Sequence, residues 1–137
     1  MRVFLDTNVL IDFLAERRPF YDDAAIIFNM CRERKINAAV SALSVINCAY
    51  ILRKAYSKTT MLEKVKWLCN IFQITPINRK SIDDAVAKGG SDFEDTVQYF
   101  SSMSHRPDVI ISRDKSGFSD FNIAVMTPTE FVSACKK

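Results

Sequence analysis

Short apolar runs alternate along this chain with longer stretches in which apolar residues return every three or four positions, and that alternation leaves few folds open. Residues 2–5, 108–112 and 123–126 have the look of buried strands, and residues 37–40 and 72–75 are weaker strand candidates. Between them, Ala24, Ile27, Phe28 and Cys31 fall at i, i+3, i+4 and i+7, the spacing of one buried helix face. Val45, Cys48, Ala49 and Leu52 repeat it, and Leu43, Ile46 and Tyr50 spread apolar surface further round that helix, which predicts burial on most sides. Leu62, Val65 and Cys69 predict a narrower stripe, with Glu63, Lys64 and Lys66 outside it. Ser91, three residues before Glu94 and just after Gly89-Gly90, reads as a capping box. Thr127-Pro128 with Glu130 marks the start of a last helix. Strands alternating with helices in this way predict a central parallel sheet covered on both faces, a three-layer α/β/α sandwich. With 137 residues, no repeats and no linker-like stretch, residues 1–137 are expected to form a single domain.

Composition narrows the class without naming a function. Hydrophobic residues make up 48% and charged residues 26%, a balance that excludes a disordered chain. No apolar run approaches the roughly 20 residues needed to span a bilayer. An Asp interrupts the apolar start at once, which argues against a secretory signal, so a cytoplasmic protein is expected. Cys31, Cys48, Cys69 and Cys135 show no Cys-x-x-Cys pair and are expected to be small buried side chains rather than disulfides. A net charge of +3 permits nucleic-acid binding without demanding it.

In open α/β sheets the working groups gather beyond the carboxyl ends of the strands. Asp6 stands there in Phe4-Leu5-Asp6-Thr7-Asn8, and Asp114 stands just past the run Val109-Ile110-Ile111. Asp92 and Asp95 are three apart at a helix start, so both can lie on one face. Acids brought from separate segments to one rim make a set of hard oxygen donors, which suits Mg²⁺ or Mn²⁺. Such ions activate water and steady the charge on phosphate oxygens, so the expected reaction is phosphodiester hydrolysis. Each acid also has an ordinary reading. Asp6 could simply end a strand, Thr7 or Asn8 could cap a helix, and Asp92 could serve the helix dipole. Glu94 reads as a capping partner, Asp120 as a turn residue, and His105, the only histidine, as a solvated turn residue. Arg17, Arg18, Arg113 and Lys115 lie near the predicted rim, where they could hold RNA phosphates or be scattered surface charge.

The motifs, taken in order, resemble the PIN-domain family. Leu5-Asp6-Thr7-Asn8-Val9-Leu10 resembles its first motif and Asp92-Phe93-Glu94-Asp95 its helix-borne acidic motif. Ser112-Arg113-Asp114, followed by Phe118, resembles its third. The resemblance implies a Mg²⁺- or Mn²⁺-dependent ribonuclease. It further implies a toxin of a type II toxin–antitoxin pair, held by a small antitoxin protein and self-associating as a homodimer. Carried over by position, Asp6, Asp95 and Asp114 become the catalytic and metal-binding acids, with Asp92, Asn8, Ser112 and Asn47 accessory and Arg113 and Lys115 at the RNA. One departure stands out. Many members carry a Glu in the helix after the second strand, whereas here no acid lies between Arg34 and Leu62, and Asn47 is the polar residue nearest the expected place. A neutral amide is a weaker ligand, which grounds the alternative of a catalytically weak PIN-like module that binds RNA or protein. A haloacid-dehalogenase phosphatase also begins with a strand-end Asp, but it wants a second Asp where Asn8 stands, and its Ser/Thr motif should precede the Gly-Asp motif rather than follow it as Ser112 does.

Overall fold

In a computed structural model describing residues 1–136, five strands form one parallel sheet. The order along the chain is β1 (Arg2–Leu5), α1 (Thr7–Leu14), α2 (Tyr21–Arg32), β2 (Asn37–Ser41), α3 (Ala42–Leu52), α4 (Lys58–Ile71) and β3 (Gln73–Thr75). There follow α5 (Arg79–Lys88), α6 (Phe93–Ser102), β4 (Val109–Ile111), a 3₁₀ turn over Lys115–Phe118, β5 (Ala124–Met126) and α7 (Pro128–Cys135). The strands lie in the order β3-β2-β1-β4-β5, and every neighbouring pair is parallel. All five predicted runs are strands, and the architecture is the expected three-layer sandwich.

Side chains alternate across a strand, so each strand feeds two cores. Val3 and Leu5, with Val40, Val109 and Ile111, face a layer built on Val9, Leu10, Ile27, Phe28, Leu52, Leu68 and Phe131. Phe4, Ala39 and Ile110 face the opposite layer with Phe118, where Tyr99 and Phe121 stack. β1 has no exposed edge, because β2 and β4 flank it. From β1 the chain turns to β2 on one side and later returns to β4 on the other. That reversal opens a crevice at the carboxyl ends of β1 and β4.

Several local readings need correction. α3 is not buried on most sides: Ile46 and Tyr50 are 66% and 56% exposed, and only Ser44, Cys48 and Leu52 are buried. In α4 the inward residue is Leu68, with Met61 and Trp67 beside it, while Leu62 and Cys69 face out. In α3 the stripe of Val45, Cys48 and Leu52 does face the core and only its added breadth fails, whereas in α4 periodicity alone picks the wrong rotation. The α6 cap is Asp92, not Ser91: its side chain accepts the Asp95 N–H at 2.9 Å. Asp120, expected merely to turn the chain, instead accepts the Ser91 N–H at 3.1 Å. His105 is buried, not solvated; its ring nitrogens sit 3.0 Å from Gln73 Oε1 and 3.1 Å from the Asn37 carbonyl, which ties the α6–β4 connection to β2 and β3. Cys31 and Cys48 are buried as expected, but Cys69 and Cys135 are exposed, and all four thiols are free. The α7 start is as read, with Thr127 and Glu130 closing a capping box around Pro128. No helix among the described residues is long and apolar enough to cross a membrane.

Candidate active site

Asp6 leaves β1 still paired to its neighbour, its N–H donating to the Ile111 carbonyl at 3.0 Å. Its extended backbone makes it the N-cap of α1, where its Oδ1 accepts the Thr7 N–H at 2.8 Å. Its other oxygen accepts the Ser112 hydroxyl at 2.8 Å. Ser112 also receives the Asp114 N–H at 3.0 Å, so one hydroxyl sets both strand-end acids. Asn8 bridges the same loops: its amide donates to Ser112 Oγ at 3.2 Å, and its carbonyl oxygen accepts the Arg113 N–H at 3.1 Å. Neither Thr7 nor Asn8 caps α1.

α6 delivers the second group. Asp92, by capping the helix, holds its first turn at the rim, and Asp95 reaches inward one turn later. Asp95 packs against Gly117, where a Cβ would stand 1.8 Å from its Oδ2. A side chain at position 117 would therefore drive Asp95 out of place. Asp6, Asp92, Glu94, Asp95 and Asp114 line one cleft of about 310 Å³, with Arg17 on its wall. Roomier cavities of about 460 Å³ lie elsewhere and gather no such set of acids.

Burial and crowding work against ionisation here. The Asp6 carboxyl is held above its ordinary range chiefly by burial, opposed by the Ser112 and Thr7 hydrogen bonds and aided by the charges of Glu94 and Asp114. Asp95 is pushed up to about 7, first by burial and then by the charges of Asp6, Asp92, Asp114 and Glu94. The folded protein therefore holds an extra proton on Asp95 between about pH 4 and 7, and its stability should fall as pH rises through that window. Urea denaturation at pH 4.5 and 7.5 should show this slope in the wild type and a shallower one in Asp95→Asn; equal slopes would rule out Asp95 as its source.

The donor set fits a hard divalent cation. It consists of carboxylate oxygens with hydroxyl and amide neighbours, and Mg²⁺ binds through one or two carboxylates while keeping several waters. The proton that Asp95 retains near neutrality occupies the place a cation would take electrostatically. Among the described residues, no three Asp, Glu, His or Cys side chains are drawn together as a ready-made cage.

Beneath the cleft lies a buried polar network. Gln98, one turn beyond Asp95, accepts the Ser41 hydroxyl and donates to Ser44 Oγ at 2.7 Å and Thr7 Oγ1 at 3.2 Å. It links α1, α3 and α6, and every buried polar side chain among the described residues has a partner. Gln98, Ser41 and Ser44 went unmarked in the sequence; the available signal was a polar residue three positions after Asp95, on the same helix face.

The two expected RNA contacts are otherwise engaged. Arg113 grips the fully buried Asp12 through Nε and Nη2, at 2.5 and 3.1 Å, and its guanidinium lies 4.0 Å from the Phe20 ring centre. Lys115 pairs with Glu130 at 3.1 Å. Arg18 pairs with Asp22, leaving Arg17 as the cation on the cleft wall.

A family model described as the PIN domain matches residues 2–116. The chain belongs to the PIN-domain family. A relative, Ribonuclease VapC1 of Aquifex aeolicus, is 30% identical over 135 residues, covering 95% of this chain and 92% of its own. Among solved structures, the fold is similar to DNA-bound VapBC from Salmonella typhimurium, with a TM-score of 0.70 at 12% identity, covering 93% of this chain and 98% of that one. A toxin–antitoxin complex from Klebsiella pneumoniae gives 0.68 at 20% identity, covering 92% and 97%. At those identities the two structures speak to the PIN fold alone.

Proposed function

We propose that this PIN-domain chain is a divalent-metal-dependent ribonuclease and the toxin of a type II toxin–antitoxin pair. The observation that carries the reading is one cleft lined by Asp6, Asp95 and Asp114, delivered by three separate segments to the crevice between β1 and β4. Asp6, Asp95 and Asp114 would hold Mg²⁺ or Mn²⁺, which would supply an activated water and charge neutralisation at the phosphodiester. Ser112 and Asn8 keep Asp6 and the Asp114 loop in register, Asp92 anchors the helix that carries Asp95, and the Gln98 network holds the three helices at fixed spacing. Arg17 offers a cation to the RNA backbone at the cleft wall. The relative named as a VapC ribonuclease supports the activity. The solved toxin–antitoxin complexes support a small antitoxin protein as partner. Self-association as a homodimer belongs to the same reading, and the exposed side chains of Ile46, Tyr50 and Leu62 give the chain apolar surface to cover.

Incubation of a long single-stranded RNA with the purified protein and Mn²⁺, with and without a chelator, tests the activity. Cleavage that the chelator stops is the expected result. Cleavage indifferent to the chelator would overturn the metal, and RNA binding without cleavage would favour the binding module for which the neutral Asn47 speaks. Expression in a bacterium should arrest growth unless the antitoxin is supplied; unimpaired growth would count against the toxin role.

A further inference from the structure

We propose that Glu94 is a fourth acid of this site, aimed into the cleft by Asn47, so that the carboxylate α3 lacks is supplied from α6. The inference rests on the metal-dependent reading of the cleft.

Glu94 stands at the second position of α6, where an acid favours the helix dipole but cannot complete a capping box, which takes the third position. Asp92 is the cap and takes the Asp95 N–H, and Ser91 lies outside the helix, turned to Asp120. The Glu94 side chain reaches instead across to α3, where its Oε1 accepts the Asn47 amide at 2.9 Å. That bond spans 47 residues of sequence and joins two elements that flank the cleft, both of which are tied below by Gln98 and Ser44. The side-chain amide of Asn47 therefore acts as a donor that orients a carboxylate rather than as a ligand itself.

Glu94 lines the same cleft as Asp6, Asp95 and Asp114. Among the described residues its carboxylate takes no other side-chain hydrogen bond, which leaves Oε2 without a protein partner on a residue that lines the cleft. A hard oxygen so placed serves a hydrated divalent cation either directly or by accepting from one of its waters. Moving the acid from α3 to α6 keeps the cleft's negative charge and explains how a neutral residue is accommodated at position 47.

Manganese binding without RNA is the direct test, read by electron paramagnetic resonance as free Mn²⁺ in a titration. Glu94→Gln keeps the oxygen that Asn47 holds and removes only the charge; its Mn²⁺ affinity should fall roughly ten- to a hundredfold, the usual cost of losing a metal site's supporting group. Moving the acid back, as Glu94→Gln with Asn47→Glu, should recover most of that loss. The Mn²⁺ concentration giving half-maximal RNA cleavage should shift in parallel. Since Glu94 is exposed, both variants should keep the wild-type thermal midpoint, which checks the fold. Wild-type affinity in Glu94→Gln, alongside lost affinity in Asp95→Asn, would overturn the fourth acid and leave the site standing. No saturable Mn²⁺ binding by the wild type would overturn both.

Discussion

Asp6→Asn is expected to lose metal-dependent RNA cleavage by roughly 10²–10⁴-fold while folding normally. The carboxylate sits at the end of the central strand, 6% exposed, and its two oxygens are committed to the Thr7 N–H and the Ser112 hydroxyl. Asparagine has the same shape. Its carbonyl oxygen can keep the Thr7 bond, and its NH₂ can donate to Ser112 where that oxygen, which already accepts from Asp114 and Asn8, releases the longer Asn8 bond. What disappears is the one charge that lies deepest in the cleft and nearest the β1–β4 switch. A metal ion contributes several kcal/mol to phosphodiester hydrolysis, at about 1.36 kcal/mol per tenfold of rate, so weakening its hold should remove rate on that scale. Stability should not suffer, because burial already holds the Asp6 carboxyl above its ordinary range and the substitution removes a charge that the fold disfavours. Initial cleavage rates at a fixed Mn²⁺ concentration that just saturates the wild type, paired with urea midpoints, separate the two effects. A rate within threefold of wild type would show that Asp6 merely ends a strand.

The second large effect concerns stability. Arg113→Met should destabilise the protein by about 3 kcal/mol, because it strands the Asp12 carboxylate, which is fully buried. Asp12 has no other side-chain partner among the described residues, and the Arg113 side chain, 29% exposed, supplies both of its hydrogen bonds. With a denaturant slope of roughly 1–3 kcal/mol per molar urea, the midpoint should drop by about one to three molar. Removing both members, as Asp12→Leu with Arg113→Met, should cost much less, since two well-packed apolar residues carry no desolvation penalty. A double-mutant cycle measures the coupling. The pair also joins α1 to the loop that carries Ser112 and Asp114, so Arg113→Met should impair cleavage even where the protein stays folded. A midpoint within a few tenths of a molar of wild type would mean that water reaches Asp12 and replaces the guanidinium.

The strand runs were readable because a strand buried on both faces needs consecutive apolar residues, and residues 3–5 and 109–111 each supply three wherever they end up. Asp6 and Asp114 followed from them, since a polar residue just past such a run must lie at a strand's carboxyl end. The helices were harder. Leu62 and Cys69 lie on a spacing as regular as the true inner face of α4, so the pattern there showed that a face exists without showing which one; in α3 it showed the face but not that Ile46 and Tyr50 stay outside the core. At the start of α6, Ser91 and Asp92 are both good caps, and one residue's difference released Glu94 from a local role to a distant one.

Covalent order alone thus settled the alternation of elements, the parallel sheet they imply and the places where acids leave the strands, because those depend on neighbours within one or two turns. Tertiary structure decided the rest. Arg113 found Asp12 101 residues away, Gln98 found Thr7 91 residues away and Glu94 found Asn47 47 residues away, and no local pattern encodes such meetings. The physical reason is range: hydrophobic periodicity reflects burial of a residue's own segment, whereas a hydrogen bond or ion pair forms only after separate segments have packed, with geometry set to within an ångström by the cores that bring them together.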